Sequence, residues 1–121
     1  MQIKINDRVA EKSISTGSNN MKLLGNLKNR LKFSESFSNT DLFYYCIQNE
    51  NVEEWEIGIG KYSAMNNELE RKNIIISSNN KNQFVDFSNG EKIVFCCLPS
   101  TEIDKIYSNI SETAYVSSLL F

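Results

Sequence analysis

The run Trp55-Glu56-Ile57-Gly58-Ile59-Gly60-Lys61-Tyr62 constrains the fold more than any other part of the chain. Its period-two pattern reads as a β-strand, with Trp55, Ile57 and Ile59 on one face and Glu56, Gly58, Gly60 and Tyr62 on the other. The first face is expected to be core. On the second, two glycines in register leave a groove without Cβ atoms, and glycine weakens a strand unless something lies close to it. The expected occupant is an aromatic ring, from Tyr44 or Tyr62, in preference to a ligand. Phosphate is not expected there, because the G-x-x-x-x-G-K spacing and a following helix start are both missing.

Strand signals continue on either side. Leu42-Phe43-Tyr44-Tyr45-Cys46-Ile47 is rich in aromatics, and Asn49-Glu50-Asn51 turns it into a return strand over residues 54–61. Residues 69–78 and 84–87 form the next expected pair, across the polar loop Asn79-Asn80-Lys81-Asn82. Asn89-Gly90 is a tight-turn dipeptide leading into a final strand over residues 92–98, which Pro99 ends. Nearer the start, residues 8–15 and 21–24 read as a hairpin around Thr16-Gly17-Ser18-Asn19, with a positive φ at Gly17. Leu31, Phe33 and Phe37 fit neither period and are expected on an irregular connector that drops aromatics into the core. Ile103, Ile106, Tyr107 and Ile110 fall on one face of a short helix over residues 101–110, with Ser100 or Thr101 as N-cap.

Short strands at intervals of about ten residues predict a mainly β fold: a small antiparallel β-sandwich or barrel with a short C-terminal helix. With 121 residues the chain is expected to form a single domain, its core over residues 7–99 and an apolar tail over residues 115–121.

Three strands are apolar on both faces, against the alternation of a sheet with one wet side. Leu42, Tyr44 and Cys46 oppose Phe43, Tyr45 and Ile47; Ile93, Phe95 and Cys97 oppose Val94, Cys96 and Leu98; Ile75 opposes Ile74 and Ile76. Each needs cover on two sides, supplied either wholly within the chain, by the helix and connector, or in part by a neighbouring subunit. The tail Tyr115-Val116-Ser117-Ser118-Leu119-Leu120-Phe121 favours assembly, since a free apolar segment is a liability unless something buries it. The candidate interface is therefore Gly58, Gly60, Tyr62, Tyr115, Leu119, Leu120 and Phe121.

Charge and composition narrow the function classes. The net charge is −2, and the most basic stretch holds only Lys22, Lys28, Arg30 and Lys32 without interleaved aromatics, so nucleic acid is not an expected partner. No apolar run approaches membrane-spanning length, and Met1-Gln2-Ile3-Lys4-Ile5 does not resemble a signal peptide, so neither a membrane nor an export route is expected. Cys46, Cys96 and Cys97 read as buried small hydrophobes; adjacent cysteines on a strand point to opposite faces and are poor joint metal ligands. The chain has no histidine, which removes the commonest general base. Glu53, Glu54 and Glu56 cluster before the glycines, with Asp86, Glu91 and Asp104 elsewhere, but the chain is short for a sugar-cleaving cleft. No catalytic residue, metal or cofactor is expected.

One resemblance adds to this. Trp55-Glu56-Ile57-Gly58-Ile59-Gly60-Lys61-Tyr62, then Leu69-Glu70-Arg71, Ser77-Ser78-Asn79, Phe87-Ser88-Asn89-Gly90, Val94-Phe95 and Pro99 together resemble a small β-rich domain recurrent in tailed-bacteriophage virion proteins, both tail-fibre-like and short stand-alone ones. Asp7-Arg8-Val9-Ala10-Glu11, with Ser15-Thr16-Gly17 and Leu23-Leu24-Gly25, is similar to that domain's opening, so the resemblance spans most of residues 7–99. It implies a non-enzymatic structural module made in the host cytoplasm and located in the virion. Its implied partners are other virion proteins of capsid, neck or tail, and it would form a homo-oligomer, threefold by analogy with fibres. A helix and apolar tail follow Pro99 where a fibre shaft would continue. A decoration, adaptor or tail/fibre-attachment role therefore fits better than a whole fibre. The alternative is a receptor-binding module for a host-surface glycan, with Tyr62, Tyr107 and Tyr115 as stacking candidates.

Overall fold

The structure, a computed structural model, describes residues 3–109. It is mainly β, an antiparallel sheet nearly closed into a barrel and followed by a short helix. The strands are β1 (Ile3–Lys4), β2 (Ala10–Ser13), β3 (Met21–Lys22), β4 (Leu42–Asn49), β5 (Trp55–Ser63), β6 (Glu68–Ser77) and β7 (Lys92–Cys96). Two helices, α1 (Phe33–Ser36) and α2 (Ser100–Asn109), interrupt and end the series.

The sheet runs β2-β7-β4-β5-β6-β3, with β1 added in parallel at the start of β4. Beyond β3 the chain curls back to the opposite edge. Leu24 N–H donates to Lys12 O at 2.9 Å, Lys12 N–H to Gly25 O at 3.0 Å, and Leu27 N–H to Ala10 O at 3.1 Å. The β2 edge of the sheet is thereby occupied, while on the other side β3 pairs with β6 only at Glu68 and Leu69. The expected N-terminal hairpin is thus split. Met21 and Lys22 pair with Leu69 and Glu68 on β6, and only the residues after them return to β2. Gly17 has the expected positive φ, 89°.

Two further expectations are corrected. Residues 84–87 form no strand partnered with β6. They run as a connector with a single bridge, Gly17 to Phe87, and Val85 N–H donates to a side-chain carboxylate. In α2, the carbonyl of buried Pro99 accepts from Glu102 and Ile103 N–H, so Pro99 precedes the first turn and neither Ser100 nor Thr101 is the N-cap.

The interior is built by inward residues of β4 (Phe43, Tyr45, Ile47), Val94 of β7, Leu69 of β6, and side chains from the connectors. Among the latter, Phe33 and Phe37 drop into the core as expected. Phe37 stacks on Phe43 with ring centroids 4.1 Å apart, and Phe33 lies tilted at 5.3 Å from Phe43. The first N–H groups of four-residue α1 have no partner within the helix itself. Buried Glu11 accepts from Phe33 N–H at 2.7 Å and from Gly25 N–H at 3.0 Å, so one carboxylate ties the connector to the strand that closes the barrel.

Candidate functional site

The glycine strand is inverted relative to the sequence expectation. Glu56, Gly58, Gly60 and Tyr62 face the interior, while Trp55 is exposed and Ile57 and Ile59 are only partly covered on the outside. The ring over the glycines comes from Tyr45, not Tyr44 or Tyr62. A Cβ on Gly58 would lie 2.8 Å from the Tyr45 hydroxyl and 2.3 Å from the Asn73 carbonyl oxygen; one on Gly60 would lie 2.9 Å from the Tyr45 ring. The β5–β6 ladder shifts register at both glycines, between Ile57 and Gly58 and again between Ile59 and Gly60. Irregularities of this kind increase strand twist and help a small sheet curl closed. Gly58, Gly60 and Tyr62 are therefore interior packing positions and leave the candidate interface. Its other members, Tyr115, Leu119, Leu120 and Phe121, lie outside the described residues.

The space above the glycines holds an ion pair. Arg71 pairs with Gly60 in the ladder and reaches along the groove to Glu56, whose side chain is fully buried. Nε of Arg71 donates to Glu56 Oε2 at 2.8 Å, and Nη2 donates to Oε1. The carboxylate also accepts from the Tyr45 hydroxyl at 2.6 Å and from Val85 N–H at 2.8 Å. The guanidinium donates further to Gly17 O, Asn19 O and Val85 O, and sits 5.2 Å from the Phe87 ring centroid. Burial, and then the negative charge of Glu56, raise the Tyr45 phenol well above its ordinary range. Every strong valence of the pair is used within the protein, so the cluster holds the 14–20 and 83–87 loops to the sheet and presents nothing to a substrate.

A second polar group lies at the β4–β5 turn. Glu54 accepts from Ser88 N–H at 2.9 Å, the Ser88 hydroxyl at 2.7 Å and Asn49 Nδ2 at 3.1 Å. Burial alone would raise its pKa, but the hydrogen bonds from Ser88 and Asn49 outweigh that and hold it below its ordinary value. Lys92, fully buried, stands opposite Asn49 across the ladder. Sequence reasoning missed both Arg71 and Lys92. Arg71 sits in a polar stretch of β6 and Lys92 opens an apolar run, so nothing local marks either as interior.

The outer surface carries the remaining apolar groups. Phe95, Cys46, Ile57 and Ile76 line up across four strands, β7, β4, β5 and β6. Helix α2 lies near one end of this face: burial raises the Tyr44 phenol, and the charge of Glu102 adds to the effect. The other end stays open, with Trp55 and Ile76 exposed. Beside it, residues 48–55 enclose an open depression of about 630 Å³ lined by Trp55, Val52, Gln48 and Glu50. The three thiols are free, and burial pushes Cys46 and Cys96 up to about 12 and Cys97 to about 11, so they sit as packing groups. Among the described residues no group of acidic, histidine or cysteine side chains is arranged to hold a metal ion. Comparison with protein-family models, curated proteins and solved structures finds no match to this chain.

Proposed function

We propose that the chain is a non-enzymatic structural protein of a tailed-phage virion, a decoration, adaptor or tail/fibre-attachment component that works through protein–protein contacts. The observation that carries this reading is the division of the molecule. Its interior carboxylates Glu11 and Glu56 are fully enclosed, whereas Trp55, Ile76 and Leu98 on the outside are left uncovered. An exposed apolar outer face suits docking by side chains. The ordered motifs over residues 7–99 supply the virion context.

The test is to tag the chain in an infected culture and purify particles. Co-purification with capsid or tail protein, lost on Trp55→Ser together with Ile76→Ser, supports the reading. A chain found only in the soluble fraction sinks it.

One feature favours the glycan-binding alternative. The depression beside Trp55 joins an exposed indole to the amide of Gln48 and the carboxylate of Glu50, held together at 3.0 Å, which are groups suited to stacking on and hydrogen-bonding a sugar. Glycan-array binding lost in Trp55→Ala would move the proposal to this reading.

A further inference from the structure

Among the described residues, Lys92 Nζ is the one buried side-chain polar atom without a hydrogen-bond partner. An enclosed, unpaired amine is costly, and folds seldom leave one without a reason. Its neighbours have complementary chemistry. Asn49 is its direct partner on β4, and both side chains are buried. Cβ atoms of such a pair are about 5 Å apart, so the Lys92 arm is long enough to reach the Asn49 carboxamide carbon. That carboxamide is gripped at both ends. Asn51 N–H donates to its Oδ1 at 3.0 Å, while its Nδ2 donates to Glu54 Oε1 at 3.1 Å. The packing depends on Gly90, where a Cβ would fall 2.5 Å from Asn51 Nδ2 and 3.1 Å from Asn49 Oδ1.

We propose that Lys92 and Asn49 join in an intramolecular isopeptide bond, formed by the chain on itself. Lys92 Nζ, as the free amine, attacks Asn49 Cγ. Charge developing on Oδ1 meets the Asn51 N–H, a donor already in place. The Glu54 carboxylate takes a proton from the attacking nitrogen and passes it to the departing Nδ2. The Cγ–Nδ2 bond breaks, the Cγ–Nζ amide forms, and one ammonia leaves; no oxidant or other reactant is consumed. Burial lowers the Lys92 pKa towards the free-amine form, with the Glu54 charge acting in the opposite sense. In the product, the new amide N–H replaces Nδ2 as donor to Glu54, and the unpaired amine is gone. The bond staples β4 to β7 and encloses the glycine strand and β6 in a covalent loop. It is independent of the virion reading.

The deciding measurement is the intact mass of the purified, denatured wild-type chain. The expected mass is lower than the sequence mass by one ammonia, with a branched peptide carrying Asn49 and Lys92 after proteolysis. Lys92→Met is expected to show its full sequence mass, and Glu54→Gln to leave most of the chain unlinked. A wild-type chain at full sequence mass overturns the proposal, whether or not any variant folds. So does an ammonia loss that persists in Lys92→Met, because a succinimide at Asn89-Gly90 would account for it.

Discussion

The two polar clusters inside this barrel are built from similar residues and end in opposite states. Around Glu56, the carboxylate meets Arg71, Tyr45 and Val85, and the guanidinium meets three backbone carbonyls. Around Glu54, the carboxylate is equally well held, but the nearby lysine, Lys92, has no hydrogen bond. Arg71 has a planar fork of five donors that can serve a carboxylate and several carbonyls at once, whereas lysine is a compact ammonium that loses its charge readily when buried. The first cluster fastens loops to the sheet. The second keeps a nucleophile beside an amide.

The contrast can be broken most severely on the Arg71 side. Arg71→Met leaves the Glu56 carboxylate enclosed without its cation, and a loss of about 3–5 kcal/mol is expected in urea unfolding. A loss below about 1 kcal/mol would show that water reaches the carboxylate. Gly58→Ala is expected to cost about 1–3 kcal/mol, because its methyl meets the backbone oxygen of Asn73 as well as Tyr45. Gly60→Ala is expected to cost less, since the backbone oxygen its methyl meets, that of Glu70, lies 3.0 Å away rather than 2.3 Å, and its nearest obstacle is the terminal methyl of Leu69. Equal costs at the two glycines would contradict the packing described. Tyr45→Phe removes one donor from a carboxylate that keeps two Arg71 contacts and Val85, so about 1 kcal/mol is expected.

The smallest effect belongs to the second cluster. Hydrogen bonds hold the Glu54 pKa below its ordinary value of 4.5 in the folded chain. A depressed folded value means that the protein form binds its proton less readily than the unfolded chain does. The contribution is therefore complete above the unfolded value and fades as pH falls through the folded one. Glu54→Gln is expected to lower stability at neutral pH, where that contribution is complete, and to flatten the acid limb of the stability–pH profile below about pH 4.5. A steeper acid limb in the variant would reverse the assignment.

Much of the architecture was legible locally. The aromatic strand at residues 42–47, the turn at Asn49-Glu50-Asn51, the glycine strand, the Asn89-Gly90 turn and the helix after Pro99 are short-range patterns, and each appears where its residues indicate. The two-sided strands were also readable, and their outer faces are the ones now lying near α2 or left open. The segment at residues 84–87 was not. Its apolar residues look like a strand, yet its backbone is satisfied by Glu56, a residue remote in sequence.

By itself, then, the sequence determined that Trp55 to Gly60 is a strand and that something must lie close to its glycines. Only the tertiary structure decided which face is inside. Trp55, Ile57 and Ile59 look more apolar than Glu56, Gly58, Gly60 and Tyr62, and area alone would bury them. The balance turns on Arg71, brought across the β5–β6 ladder to neutralise Glu56, and on Tyr45, which fills the space without Cβ atoms. Neither contribution exists until the strands have paired, because a charge becomes tolerable in an interior only once its partners are in place.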